Sequence, residues 1–251
     1  WNQLPMDDFG FTGYSYDNTG DLGATTWRHV AFIERVSDRE GRRPTRLKAF
    51  QSNWLMMSDV CKHCVQAGCL EVCPTGAIVR TEFDTVVIQQ DVCNGCRYCI
   101  AACPFDVIGI NPTTNTAQKC TLCYDRLKAN MTPACAQACP TASIKFGTIQ
   151  ELRQVADQRV AQLRAQGVPA YIYGDETMLG GLNSFYLLVD RPQVYGLPER
   201  PALPSRNLTG GSLLSMAAAF VVGLVGLLSF RKRRMEELKP GEGAETTERG
   251  A

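Results

Sequence analysis

The twelve cysteines of this 251-residue chain all lie between residues 61 and 139, in three sets of four. The first set, CKHCVQAGCLEVCP, supplies Cys61, Cys64, Cys69 and Cys73. The second, CNGCRYCIAACP, supplies Cys93, Cys96, Cys99 and Cys103. The third, CTLCYDRLKANMTPACAQACP, supplies Cys120, Cys123, Cys135 and Cys139. Three chemistries are open to such thiols. An even count permits disulfides. Two Cys-x-x-Cys pairs can offer a tetrahedron of thiolates to zinc. A third cysteine soon after the pair, as in the first two sets, suits a compact inorganic core better than either.

The spacing C-x2-C-x2-C-x3-C-P is that of bacterial [4Fe–4S] ferredoxins, in which the fourth cysteine ligates the other cluster. The second set matches it residue for residue, including Pro104. The first set widens one gap to x4 and the third widens it to x11. The crossing rule predicts one cluster on Cys61, Cys64, Cys69 and Cys103, and another on Cys73, Cys93, Cys96 and Cys99.

The elements that must position these thiols repeat with them. An Ile follows each Cys-Pro at the same offset, Ile78, Ile108 and Ile144, each expected to pack over a cluster and open a strand. Pro after the last ligand fixes φ and stops the short helix before it. Residues 77–80 and 85–88 read as strands around a turn at Glu82-Phe83-Asp84. Residues 61–108 thus have the layout of a complete two-cluster unit. A second hairpin turns at Asn111-Pro112 before the third set, which has no fourth set after it or before residue 61.

Upstream, residues 13–23 are turn-rich and TWRHVAFIERV reads as a strand. His29 on that strand has a structural role by default and a ligand or proton-carrier role as its alternative. His63, inside the first set, is expected beside a cluster, four thiolates per cluster being already at hand. Downstream, Thr148 and Glu151 form a capping box for a helix reaching Gln166. Its apolar stripe is Ile149, Leu152, Val155, Ala156, Val160 and Leu163, and Gly167 ends it. Two short strands around Gly180-Gly181 and a Pro-rich linker follow.

Leu213–Phe230 carries no charged residue over 18 positions, close to the length that spans a bilayer. A buried core helix is the alternative. The Pro-rich approach and the RKRR that follows favour a membrane anchor, with Ser215, Ala219 and Gly223 on one face for close helix packing. Arg231–Arg234 place the C-terminus in the cytoplasm and the cysteine sets on the other side. The tail from Lys239 is polar and expected to be disordered. Lys and Arg (26) balance Asp and Glu (25), which leaves no field to attract nucleic acid.

The motifs KCTLCYDR, PACAQACPTASIKFG, CKHC with GCLEVCP, and LGGLNSFYLL ahead of YGLP, followed by one C-terminal apolar helix, resemble the β subunit of membrane-bound formate dehydrogenase. The resemblance implies an electron-transfer subunit that is not an enzyme on its own. Electrons would pass through [4Fe–4S] clusters from a molybdopterin catalytic α subunit to a membrane cytochrome b γ subunit and quinone. It implies export in complex with the α subunit, and the charge rule sets the cluster domain on the periplasmic or other extracytoplasmic side. Family members carry four cysteine sets, the first paired with the fourth. The three sets here match the second to fourth, and the family's first set ends shortly before a Trp-Asn dipeptide like Trp1-Asn2. A start lost ahead of Trp1 would therefore hold the cysteines that complete the centres of Cys120, Cys123, Cys135 and Cys139. Two clusters would be complete in this chain and four in the full-length protein.

The expected fold is α+β, a tandem ferredoxin-like [4Fe–4S] domain with a single C-terminal transmembrane helix. Residues 1–60 form the N-terminal part of the cluster domain and 61–147 its ferredoxin-like centre. Residues 148–198 are a helix and short strands packed on it, 199–212 a linker, 213–230 the membrane helix and 231–251 a cytoplasmic tail. Two other readings stand beside this one. The first is the matching subunit of a hydrogenase or another molybdopterin oxidoreductase. The second is a zinc-stabilised, membrane-tethered interaction module.

Overall fold

The computed structural model describes residues 19, 21–34 and 54–237. The turn-rich segment up to Asn18 and the tail from Lys239 lie outside the described residues. The chain divides into two compact units, Trp1–Pro204 and Ser205–Ala251.

Among the described residues, the β structure of the first unit is four separate two-stranded antiparallel ribbons. The expected strand around His29 is β1 (Arg28–Glu34), paired with β2 (Trp54–Val60) from Arg28 opposite Val60 to Glu34 opposite Trp54. Along β2, Leu55, Met57 and Val60 are buried while Met56 faces out, so one side of the ribbon meets a core. This strand runs directly into Cys61. The next ribbon, β3 (Ile78–Arg80) with β4 (Val86–Ile88), turns through the expected Glu82-Phe83-Asp84, where Asp84 has φ +57°. A third, β5 (Gly109–Ile110) with β6 (Ala117–Gln118), turns at Asn111, whose side-chain oxygen accepts from the N–H groups of Thr113 (2.8 Å) and Thr114 (3.2 Å). The last, β7 (Tyr171–Tyr173) with β8 (Tyr186–Leu188), spans Gly180 and Gly181, both at positive φ.

Four short helices punctuate the cysteine sets: α1 (Gly68–Glu71), α2 (Tyr98–Ala101), α3 (Tyr124–Lys128) and α4 (Ala134–Ala138). Three of them, α1, α2 and α4, stop just before a Cys-Pro. The residue ahead of proline is driven out of the helical region, as Cys139 is at ψ 107°.

Two of the three repeated isoleucines behave alike. Ile78 is buried and opens β3, and Ile108 is buried directly ahead of β5. The third differs: Ile144 is half-buried and no strand follows it before the next helix, α5 (Ile149–Ala165). That helix starts after only four more residues, which leaves no room for a hairpin partner.

A core around the cysteines contains Ile78, Val86, Ile88, Val107, Ile108 and Ala117 together with Cys61 and Cys99. A second joins Leu55 and Met57 of β2 to Tyr173, Leu182, Leu188 and Leu197. The smallest holds α5 through Val160 and Leu163 against Ala170. Of the expected stripe on α5 only these two are fully buried, and Val155 is exposed. The helix therefore packs along its C-terminal half.

The approach to the second unit is not a free tether at its start. Pro201 is buried and Leu203 packs on the second core, and a 3-10 turn covers Pro204–Asn207. The second unit contains α6 (Leu208–Glu237), longer at both ends than the charge-free stretch 213–230. No Gly or Pro stops it after Phe230, so the helix continues through Arg231–Arg234. Its segment Gly211–Glu236 is long and apolar enough to cross a membrane, about 39 Å at 1.5 Å per residue. Ser215, within that segment, donates its hydroxyl to the Ser212 carbonyl at 2.9 Å, so its polar group is satisfied inside the helix.

The capping box at the start of α5 is complete. Thr148 Oγ1 accepts from the Glu151 N–H, and Glu151 Oε2 accepts from the Thr148 N–H, each at 3.3 Å. Thr148→Ala is expected to cost about 1 kcal/mol, read as a Tm lower by about 2–4 °C and as faster hydrogen exchange of the Glu151 amide. Thr148→Ser should leave both unchanged; an equal loss in Thr148→Ser would contradict the capping role.

Candidate metal centres

The three Cys-x-x-Cys loops share one backbone shape. The second intervening residue is left-handed in each: His63 (φ +44°), Gly95 (φ +70°) and Leu122 (φ +55°). A left-handed residue in such a loop turns successive N–H groups to one side, a concavity that receives negative charge. Two non-glycine residues accept this conformation, which marks it as imposed by the surroundings. At Gly95 glycine is required twice over, since a Cβ there would lie 2.2 Å from the Asn115 carbonyl oxygen.

A second repeated shape follows each Cys-Pro. Gly76, Asp106 and Ala142 all have positive φ (68°, 51° and 51°). Their N–H groups donate back to the carbonyls of Cys73 (3.4 Å), Cys103 (3.4 Å) and Cys139 (3.3 Å). This turn points the following N–H groups at the sulfur. Burial raises the Cys73 thiol, but the Thr75 hydroxyl and the N–H groups of Ile78, Thr75 and Ala77 outweigh it and hold the thiol below its ordinary value. At Cys139 the Thr141 hydroxyl and the Ile144 N–H hold the thiol at about 7. The third set therefore keeps the sulfur cradle although it lacks the strand.

Direct N–H donors also reach three other sulfurs. Ala117 N–H donates to Cys93 Sγ at 3.4 Å, Leu122 N–H to Cys120 Sγ at 3.3 Å and Ala134 N–H to Cys123 Sγ at 3.5 Å. The last of these closes the long x11 gap. Met131 N–H donates to the Arg126 carbonyl (2.8 Å) and Arg126 Nε–H to the Thr132 carbonyl (2.9 Å), so α3 doubles back and brings α4, with Cys135, beside Cys123.

No disulfide joins any of the twelve cysteines. Cys73 lines one small cleft with Cys93, Cys96 and Cys99, although it belongs to the first motif. Thr75, Ile78, Ile88 and Ala117 complete much of the wall. Cys64 is raised first by burial and then by Cys61, Cys103 and Cys69, so the first motif's other thiols share their surroundings with the fourth cysteine of the second. Cys120 lies within the influence of Cys61. Among the described residues no three His, Cys, Asp or Glu side chains converge closely enough for a single ion. The thiols stand around a space instead of a point.

The donor chemistry fits an iron–sulfur core. Burial pushes Cys69 and Cys120 up to about 12 and Cys99 to about 11, so these thiols would hold their protons at neutral pH until a metal replaces them. Hydrogen bonds from backbone to sulfur and an apolar wall are the features that tune such centres.

The two histidines resolve differently. His29 stands opposite Asp59 across the β1–β2 ribbon, its Nε2 4.0 Å from the carboxylate. His63 is buried, and burial with the nearby charges of Lys119 and Arg80 pushes it well below its ordinary value, so the ring is neutral. Its Nδ1 accepts from the Val86 N–H at 3.0 Å, and its buried Nε2 has no hydrogen-bond partner among the described residues.

Three basic residues that spacing arguments passed over hold this region. Lys62 is buried, paired with Asp59, bonded to the Val60 carbonyl (2.7 Å), and set against the rings of Phe105 and Tyr186. Lys119 is buried and donates to the carbonyls of Val86 and Cys120. Arg80 donates to the carbonyls of Cys64 (2.7 Å) and Val65 (2.6 Å) and ties the first loop to its hairpin. The signal available was a lysine adjoining a cysteine, as in Cys61-Lys62 and Lys119-Cys120. The residues 179–184 were also missed as a clasp on the first loop. Val65 N–H donates to Gly181, Gln66 N–H to Leu179, and Ser184 N–H to Lys62, at 2.8–3.0 Å.

Residues 52–149 match the family described as a 4Fe-4S dicluster domain. The nitrate-inducible formate dehydrogenase iron–sulfur subunit of Escherichia coli K12 is 39% identical over 235 residues, covering 91% of this chain and 76% of that one. The formate dehydrogenase iron–sulfur subunit of Haemophilus influenzae is 37% identical over 231 residues, covering 90% and 70%. The thiosulfate reductase electron transfer subunit of Salmonella typhi is 50% identical, but over only 92 residues, 36% of this chain and 48% of that one. Similarity through the cysteine sets is thus shared with a reductase of another kind, whereas these two formate dehydrogenase subunits are similar along nearly the whole length of this chain. The chain belongs to the family of iron–sulfur electron-transfer subunits of formate dehydrogenase and related oxidoreductases.

Proposed function

We propose that this chain is the electron relay of a formate dehydrogenase complex, between a molybdopterin catalytic subunit and a membrane cytochrome b subunit that delivers to quinone. The observation that carries this reading is the sequence of neighbouring thiol groups. Cys73 stands with Cys93, Cys96 and Cys99; Cys61 stands with Cys64, Cys69 and Cys103; and Cys61 in turn neighbours Cys120. Centres placed in such a row can exchange electrons without any substrate pocket. When bound, a [4Fe–4S] core takes up and returns one electron at a time. The residues of this chain hold the core, exclude water from it through Ile78, Ile88 and Ala117, and direct N–H groups to its thiolates.

The ligand sets in this reading are Cys61, Cys64, Cys69 and Cys103 for one cluster and Cys73, Cys93, Cys96 and Cys99 for the other. Cys120, Cys123 and Cys135 take three irons of a third centre and Cys139 one iron of a fourth, completed by cysteines outside these twelve. The domain limits in this reading are 61–147 for the ferredoxin-like centre, built on residues 1–60 and flanked by 148–198. Residues 199–212 lead to the membrane helix at 213–230 and a cytoplasmic tail at 231–251. The cluster domain lies on the periplasmic side.

The high local identity to a thiosulfate reductase subunit favours one second reading, in which the catalytic partner acts on a substrate other than formate. Electron flow from formate to quinone in membranes carrying the complex separates the two. Quinone reduction with formate, lost when this subunit is deleted, is the expected result; thiosulfate turnover without formate turnover would select the second reading.

Three measurements test the finer assignments. Cys103→Ala should abolish mainly the EPR signal of the centre on Cys61, Cys64 and Cys69, although Cys103 sits in the second motif; loss of the Cys93-set signal instead would end the crossed assignment. Iron and acid-labile sulfide analysis of the 251-residue chain should find about eight of each, against about twelve if the third set closes on a core of its own. For topology, a reporter fused after Gly250 should be active in the cytoplasm and one inserted near Asn18 on the opposite side; the reverse pattern would overturn the orientation.

A further inference from the structure

Lys119 is a buried cation of unusual setting. Only 2% of its surface is exposed. Among the described residues no carboxylate pairs with it; its Nζ is held by two backbone carbonyls, those of Val86 and Cys120. Lys62, the other buried lysine, differs in having Asp59 as a counter-ion. An ammonium taken out of water without an anion is costly, and two carbonyl dipoles only partly offset that cost. Thiols are among the groups near it that can carry negative charge: it adjoins Cys120 in the chain, and at Cys69 and Cys120 its charge works against the effect of burial. Its ammonium is held at the Val86 carbonyl, and the Val86 N–H donates to His63 of the first cysteine loop, so Lys119 ties β4, beside the first loop, to the start of the third.

We propose that Lys119 is the fixed counter-cation of the two centres on either side of it and holds both of their reduction potentials up. This inference rests on the ligand sets proposed above. A positive charge close to a redox centre favours the state with one more electron. Inside the protein that attraction is neither diluted by water nor screened by salt. Because one ammonium serves both centres, it raises them together and leaves the step between them nearly unchanged as an electron passes. The centre on Cys73, Cys93, Cys96 and Cys99 is affected less: Ile88 lines its wall, whereas the Lys119 ammonium is held at Val86, the other end of β4.

The test is a potentiometric EPR titration of the full-length subunit in its complex, comparing Lys119→Met with Lys119→Arg. The signals are first assigned by their loss in Cys69→Ser, Cys120→Ser and Cys96→Ser. In Lys119→Met the two flanking centres should show, at a fixed poise, a ratio of reduced to oxidised form lower by about tenfold, equivalent to about 59 mV for one electron. The centre lost in Cys96→Ser should move by less than half as much. Lys119→Arg, which keeps the charge, should retain the wild-type potentials, and iron and sulfide per chain should be unchanged in both. If Lys119→Met loses iron, Lys119→Gln, whose amide still donates to the carbonyls, takes its place in the same titration. Potentials unmoved at full iron content, or an equal fall in Lys119→Arg, would overturn the proposal. Failure of the underlying ligand reading is seen separately, as persistence of the flanking signals in Cys69→Ser and Cys120→Ser.

Discussion

The structure around the cysteines depends on one requirement: backbone N–H groups must point at sulfur. A regular helix or strand spends its N–H groups on its own carbonyls. Segments that offer them to thiolates have to be irregular, and this chain makes them irregular in a repeated way. The left-handed residue inside each Cys-x-x-Cys and the left-handed residue three positions after each final cysteine recur in all three sets. The small size of the elements between the cysteine sets follows. With so much backbone committed to loops, the two ribbons there shrink to two or three residue pairs and the local helices to little more than one turn.

Ribbons that short do not stand alone. Here they are held by side chains that cross between segments. Arg80 binds the carbonyls of the first cysteine loop, Gln90 binds the Ala117 carbonyl, and the stretch 179–184 bonds backbone to backbone with residues 62–66. The second core, from β2 to the 171–197 segment, braces the same loop from outside. The 171–197 segment is thus joined to the cysteine sets by direct bonds.

Electrostatics sets a second demand. Burial by itself raises thiols such as Cys64 and Cys69, and crowding of like groups raises them further. Several thiolates and an inorganic core in such an interior need compensating charge. Lys62 and Lys119 place two ammonium groups there, one answered by Asp59 and one answered by no carboxylate among the described residues. The half-buried Cys139 is treated otherwise: hydrogen bonds outweigh burial and lower it.

The sequence by itself determined the cysteine sets, the hairpins between them, the capped helix at Thr148 and the apolar C-terminal stretch, because each rests on local rules. Spacing, proline, turn residues and hydrophobic period act over a few residues and are readable without a partner. The left-handed conformations of His63, Leu122 and Ala142 were not readable, since nothing in those residue types asks for positive φ; surrounding contacts impose it. The β1–β2 ribbon, the 179–184 clasp and the doubling back of α3 that brings Cys135 to Cys123 join residues distant in the chain or unmarked by pattern. Partial burial of the α5 stripe depended on what packs against it. The place of Lys119 between two groups of thiols was the least legible. A lysine in sequence is by default a solvated surface charge, and only the packing of β4 against the third cysteine loop takes it out of water.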